Sequence, residues 1–173
     1  MSIRIAEPAD ISDLATLGVS TFTQTFGHLY KPRDLNEFLQ NNHSQRAYKK
    51  TVSDRSSMAW ILEIDDAAIG YAVAGPSDLP LPDLPPNAGE LKRLYLLPQV
   101  QGRGLGTQLL DTALDWLDAH YQDIFVSVYA ENVGAQKLYQ RFGFEKVHEY
   151  FFMVGGHADP EWIMKRTTST QKA

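Results

Sequence analysis

The sequence predicts a mixed α/β domain, and three observations carry that prediction. Runs with helical spacing alternate with runs rich in β-branched and aromatic residues. Their order is strand, two or three helices, three strands, helix, strand, helix, two strands. At the centre, a strand passes through a glycine-rich loop into a helix and the chain then returns to a strand. The length of 173 residues, with 43% hydrophobic and 21% charged, suits one globular domain rather than a fibrous or disordered chain. Residues 1–166 are expected to form that domain, with 167–173 as a small, polar, disordered tail.

Ile3 and Ile5 alternate with polar neighbours, as in a short first strand. Pro8 and Asp10 introduce Ile11, Leu14, Ala15, Leu17 and Gly18 at helical spacing. Phe22, Phe26 and Tyr30 continue at four-residue steps across Gly27. Pro32 restarts a second helix with Leu35, Phe38 and Leu39 inward, and residues 41–50 read as a third helical piece or a mobile connection. Residues 60–64, the turn Asp65-Asp66 and residues 69–73 read as a hairpin. Residues 76–86 hold five of the nine prolines. Proline gives a ladder no N–H, so this segment is expected to be a stiff surface loop.

The next strand covers residues 90–97 and stops at Pro98. Leu105, Leu109, Ala113, Trp116 and Leu117 then mark an amphipathic helix whose other face, Asp111, Asp115 and Asp118, is expected to be solvated. Residues 124–128 form a strand, and Asn132 can cap a short helix that Gly143 ends. Residues 150–154 and 162–164 close the domain as strands around Gly155-Gly156.

Composition removes several functions. Sixteen Lys and Arg against 21 Asp and Glu give a net charge of −5. That balance argues against general nucleic-acid binding, which needs a basic face to displace counterions. There is no cysteine, hence no disulfide, cysteine-ligated zinc or thiol nucleophile. The five histidines are scattered without ligand spacing, so no metal is expected. The first seven residues lack the apolar run of a signal peptide. Residues 67–75 fall far short of the roughly 20 residues that cross a bilayer. A cytoplasmic protein without membrane contact is the default expectation.

The chemistry concentrates in Gln101-Gly102-Arg103-Gly104-Leu105-Gly106-Thr107. Alternate glycines permit positive φ and let a ligand approach the backbone. N–H groups and the macrodipole at a helix N-terminus favour an anion, and Arg103 can meet phosphate in a fork. The physics points to phosphate or pyrophosphate; the plainer alternative is a tight strand-to-helix turn. A Rossmann fingerprint would need glycine where Thr107 stands, and a Walker A loop would need a lysine that is absent.

The first six of these residues, 101–106, are similar to the Gln/Arg-x-x-Gly-x-Gly/Ala signature of the GNAT family of N-acetyltransferases. Residues 132–144 resemble that family's Asn-x-x-Ala-x-x-x-Tyr-x-x-x-Gly-Phe segment through Asn132, Ala135, Tyr139, Gly143 and Phe144. The two segments together cover about the last half of the chain, in the family's order. The resemblance implies a mixed, mostly antiparallel sheet of six to seven strands flanked by about four helices, with acetyl-coenzyme A as cosubstrate. It implies that the backbone of Leu94 and Leu96 pairs with the pantetheine arm, and that Gln101, Gly102, Arg103, Gly104, Leu105, Gly106 and Thr107 hold the pyrophosphate. Asn132 would hydrogen-bond the coenzyme arm, although helix capping explains it equally well. Tyr139 would protonate the departing thiolate, against the plainer reading of a core tyrosine. Glu90 is the candidate general base acting through water, against that of a solvated carboxylate at the strand start.

With no cysteine to carry an acyl group, direct attack by a primary amine in a ternary complex is the expected route. The acceptor is expected to be a small-molecule amine bound near residues 22–33 and 148–162. Thr21-Phe22, Thr25-Phe26, Phe152-Met153 and residues 162–164 bear a looser resemblance to bacterial polyamine acetyltransferases. The rivals are acetylation of protein N-termini or lysines, a non-catalytic coenzyme A-binding module, and a nucleotide-binding α/β domain. Members of the family are often homodimers, and no segment here marks an interface.

Overall fold

The computed structural model describes residues 1–168, built on a seven-stranded sheet of order β1-β2-β3-β4-β5-β7-β6. The strands are β1 (Ser2–Ile5), β2 (Met58–Ile64), β3 (Ala67–Pro76), β4 (Ala88–Leu96), β5 (Asp123–Tyr129), β6 (Glu145–Val154) and β7 (His157–Thr167). The helices are α1 (Ile11–Phe26), α2 (Pro32–Asn42), α3 (Gln45–Ser53), α4 (Leu105–His120) and α5 (Val133–Arg141). All neighbouring strands are antiparallel except β4 and β5, which run parallel because α4 carries the chain back between them. The mixed, mostly antiparallel sheet expected from the sequence is present.

Apolar spacing decides which face each helix covers. Leu105, Leu109, Leu110, Ala113, Leu114 and Leu117 of α4 are buried against Leu62, Ala72, Leu91, Ile124, Val126 and Met164. On the opposite face, Leu14 and Leu17 of α1 and Tyr48 of α3 pack on Ile61, Tyr71 and Val73. Residues 41–50 hold the end of α2, a bend at His43-Ser44 and the start of α3, where Ser44 accepts the Ala47 N–H at 3.3 Å as the N-cap. Phe22 stacks on Phe38 at 4.6 Å between ring centres, tying α1 to α2.

The proline segment is a surface loop with a core of its own. Leu79 is buried, and Leu81 and Leu84 join it against Ala88, Phe125 and Ile163. Three expectations change. Asp118 is only half-exposed and forms a bidentate pair with Arg166 at 2.6 and 2.9 Å, because α4 ends beside β7. The closing strands run to ten and eleven residues, since polar outward positions in 145–149 and 157–161 hid their length. Pro160 is tolerated in β7 because β5 pairs only from Glu161 onward. Within the expected tail, Thr167 pairs with Asp123, and the Thr168 hydroxyl hydrogen-bonds to Asp118 at 3.1 Å. Residues 169–173 lie outside the described residues.

Candidate active site

The site forms where β4 and β5 part. Their ladder runs from Ala88–Asp123 to Leu91–Val126 and stops there, whereas β4 continues beside β3 to Leu96. At that point β4 holds one extra residue: Val73 faces Arg93 and Ala74 faces Leu91, which leaves Lys92 as a bulge. A bulge resets the two-residue alternation of a strand. Leu91, Leu94 and Leu96 therefore pack with α4, while Arg93 and Tyr95 stand over the face occupied by Tyr48 and Tyr71.

Beyond the bulge, alternation also decides which backbone groups are free. The Leu97 N–H goes to Ile69 O at 2.9 Å, so Tyr95 turns its own N–H and C=O toward β3. Leu94 and Leu96 accordingly face the opening. The Leu96 carbonyl accepts a bond from the Gln101 side-chain amide at 3.0 Å, which ties the loop to the strand end.

The glycine loop fits an anionic ligand. Gly102 and Gly104 have φ of +77° and +76°, and a Cβ at either would meet nothing within 4 Å. Arg103 is exposed, whereas the Leu105 side chain is buried in the core, so only its backbone can contribute to a ligand. The N–H groups of the first turn of α4 lack intrahelical partners, as at any helix start.

Asn132 is the N-cap of α5: its side-chain oxygen accepts the Ala135 N–H at 3.2 Å. Its amide NH₂ makes no hydrogen bond among the described residues, and Asn132 lines the cleft. Asn132→Asp separates the two roles. The carboxylate keeps the cap, so thermal stability should stay within about 0.5 kcal/mol. Affinity for coenzyme A should fall several-fold if the NH₂ is a donor to the coenzyme, and stay unchanged if Asn132 only caps.

Tyr139 is 7% exposed and its ring meets Phe144 edge-on at 5.8 Å. Its hydroxyl makes no hydrogen bond among the described residues. Burial, then the charges of Tyr95 and Glu161, raise its pKa, so it stays a protonated donor at neutral pH. Glu90 is 6% exposed and lies in the cleft, not in bulk solvent. Its carboxylate accepts the Asp78 N–H at 3.3 Å and lies 3.5 Å from Lys92 Nζ. Burial raises its pKa, and Lys92 opposes that shift.

A second acid was not legible as a site residue from sequence alone. Glu161 of β7 accepts a hydrogen bond from Ser127 Oγ at 2.7 Å, and Ser127 lies 2.7 Å from the Tyr150 hydroxyl. Burial pushes the Glu161 carboxyl up to about 7, with the Ser127 bond opposing and the Asp159 charge adding to the shift. The three side chains come from β5, β6 and β7, which only the order of the sheet brings together. A signal was present, because Glu161 shares a strand face with the buried Ile163, where a polar residue is out of place.

These groups wall one cleft of about 700 Å³, to which the glycine loop contributes Gln101, while Gly102 through Thr107 lie beyond its lining. Leu94, Leu96, Gln101, Asn132 and Tyr139 line it, as do Glu90, Glu161, Ser127 and Tyr150, and the aromatic rings of Phe22, Phe26, Phe38 and Phe152. Among the described residues there is no cluster of three or more metal-ligating side chains, and no helix is long and apolar enough to cross a membrane.

A family model described as the Acetyltransferase (GNAT) family matches residues 21–144, most of the chain. The chain belongs to the GNAT family. It is therefore an N-acetyltransferase, with acetyl-coenzyme A as its cosubstrate. An uncharacterised N-acetyltransferase of Lactobacillus delbrueckii subsp. lactis is 25% identical over 161 residues, covering 91% of each chain. A spermine/spermidine N(1)-acetyltransferase of Bacillus subtilis is 37% identical over 57 residues, which is 32% of this chain and 38% of that protein. Among solved structures, the PaiA N-acetyltransferase of Thermoplasma acidophilum in complex with coenzyme A shares the fold. Its TM-score is 0.74 at 19% identity, over 96% of this chain and 99% of that one. The nucleotide-binding rival read from the glycine loop is set aside by this membership.

Proposed function

We propose that this GNAT enzyme acetylates the primary amine of a small molecule by direct attack while both substrates occupy the cleft. The observation that carries the reading is the cleft itself. Its wall joins the free edge of β4, Gln101, Asn132 and Tyr139 to the buried carboxylates and aromatic rings in one continuous space.

Acetyl-coenzyme A supplies a thioester carbon and a thiol leaving group. Leu94 and Leu96 offer backbone groups that β3 does not use, a strand edge for an extended amide-bearing arm. The backbone from Gln101 to Thr107, with Gly102 and Gly104 in positive φ, surrounds pyrophosphate with N–H donors, and Arg103 adds charge.

An acceptor amine is mostly protonated near pH 7 and must lose a proton before it attacks. Glu161 is poised to take it. When Glu161 is ionised, the Ser127 proton points to it, so the Tyr150 hydroxyl must donate to Ser127. The free lone pairs of Tyr150 can then accept a proton from the amine, and the chain passes one proton on to Glu161. Glu90, held by Lys92 and the Asp78 N–H, contributes negative charge that favours the incoming ammonium. Tyr139 donates a proton to the departing sulfur and recovers one from the nitrogen as the amide forms. One proton is released overall.

The carboxylates of Glu90 and Glu161 suit a cationic acceptor, and the 57-residue likeness to a spermine/spermidine acetyltransferase favours a polyamine as the second reading. Initial velocities measured against both substrates test the reaction order. Intersecting double-reciprocal lines are expected, and parallel lines would contradict direct attack by indicating an acyl-enzyme.

A further inference from the structure

Arg93 is the one arginine or lysine of the cleft wall that pairs with no carboxylate among the described residues. Lys92, beside it, is matched by Asp78 at 3.2 Å and Glu90 at 3.5 Å. The Arg93 guanidinium lies over the Tyr48 ring, 5.0 Å from its centre, donates to Asn42 O at 2.8 Å, and has the Tyr48 hydroxyl as a second neighbouring acceptor. A guanidinium has five N–H donors in a planar fork, and these two neutral acceptors leave most of the fork without a protein partner.

The surroundings add no counter-charge. His43 is held neutral, its pKa pushed down to about 3 by burial and then by the Arg93 charge. Tyr48 and Tyr71 hydrogen-bond each other at 2.8 Å and remain neutral phenols. A largely buried cation without an anion is unfavourable, whereas a fork facing a cavity is the arrangement that binds carboxylate in two parallel bonds. Tyr95 lines the same cleft as Arg93, Glu90 and Glu161, and feels the charges of both Arg93 and Glu161. Positive and negative groups thus occupy the same cleft.

Resting on the small-amine reading above, we infer that the acceptor is an amine that also bears a carboxylate. Arg93 holds that carboxylate while the amine faces Glu161 and Glu90. Phe22, Phe26 and Phe38 line the space available to an apolar portion of the molecule. The bulge at Lys92 is what makes this possible, since without it Arg93 would share the α4 face with Leu91.

The test compares acceptors that differ only in the carboxylate: phenylalanine with phenethylamine, lysine with cadaverine, and 5-aminopentanoate with pentylamine. In at least one pair the acid should be acetylated with kcat/KM at least about tenfold higher, the effect of one charge-assisted fork. In Arg93→Met that preference should shrink to within about threefold. Equal or reversed preference in every pair overturns the inference, as does turnover confined to polyamines. Preference retained in Arg93→Met overturns the assignment to Arg93. The comparison within wild-type protein stands even if the variant folds poorly. Absence of turnover with any amine, with coenzyme A still bound, instead overturns the small-amine reading on which the inference rests.

Discussion

Tyr139→Phe is expected to lower kcat by about 10²- to 10⁴-fold, the usual effect of losing a positioned acid. Affinity for coenzyme A should stay within about twofold. The substitution removes one oxygen from a ring that is 7% exposed and packed on Phe144. Because that hydroxyl has no protein partner among the described residues, its loss leaves no buried group unsatisfied. Folding is therefore preserved and the loss reports chemistry. A steady-state assay beside calorimetric titration with coenzyme A separates the outcomes. Retained turnover would assign Tyr139 to packing alone.

Glu161→Gln carries the second large effect. A group raised to about 7 is protonated below that pH and cannot accept the amine's proton there. Wild-type kcat/KM is expected to rise with pH through about 7 and then level off, until other groups titrate. The glutamine variant should lose about two orders of magnitude and the limb itself, because its side chain does not ionise. Glu90→Gln should weaken acceptor binding and leave the limb in place. If instead Glu90→Gln removes the limb, the base is Glu90.

The same shift makes a stability prediction of opposite sign. The ordinary carboxyl value is 4.5 and the folded value about 7, so the folded chain holds this proton more tightly than the unfolded chain. Stability from that preference is present below about pH 4.5 and is lost as pH rises through 7. Glu161→Gln should match wild type near pH 4, below the unfolded carboxyl value. At pH 8 it should be more stable by about 1 kcal/mol, allowing for screening of a partly exposed group. Thermal melts at the two pH values check this.

Much of the architecture could be read directly from local patterns. Helix α4 announces itself through Leu105, Leu109, Ala113 and Leu117. The Gln101 to Gly106 loop marks the anion end, because a glycine at positive φ leaves its requirement in the sequence. The acid end lies in tertiary arrangement instead. Ser127 and Glu161 are neighbours only because β7 inserts between β5 and β6. The face that Arg93 occupies depends on a bulge, whose trace is the break in alternation among Leu91, Leu94 and Leu96. Residues 41–50 carry too little pattern to separate helix from connection, because α3 buries a single side chain, Tyr48, and offers little apolar periodicity. Asp118 looked solvated because its partner Arg166 lies 48 residues away in the chain.

Thiol release from acetyl-coenzyme A, measured with a panel of amines, amino acids, polyamines and N-terminal peptides, tests the central claim most directly. Release that depends on a small-molecule amine, and saturates with it, is the predicted result. Release that occurs only with peptides or proteins, or not at all while coenzyme A remains bound, would contradict it.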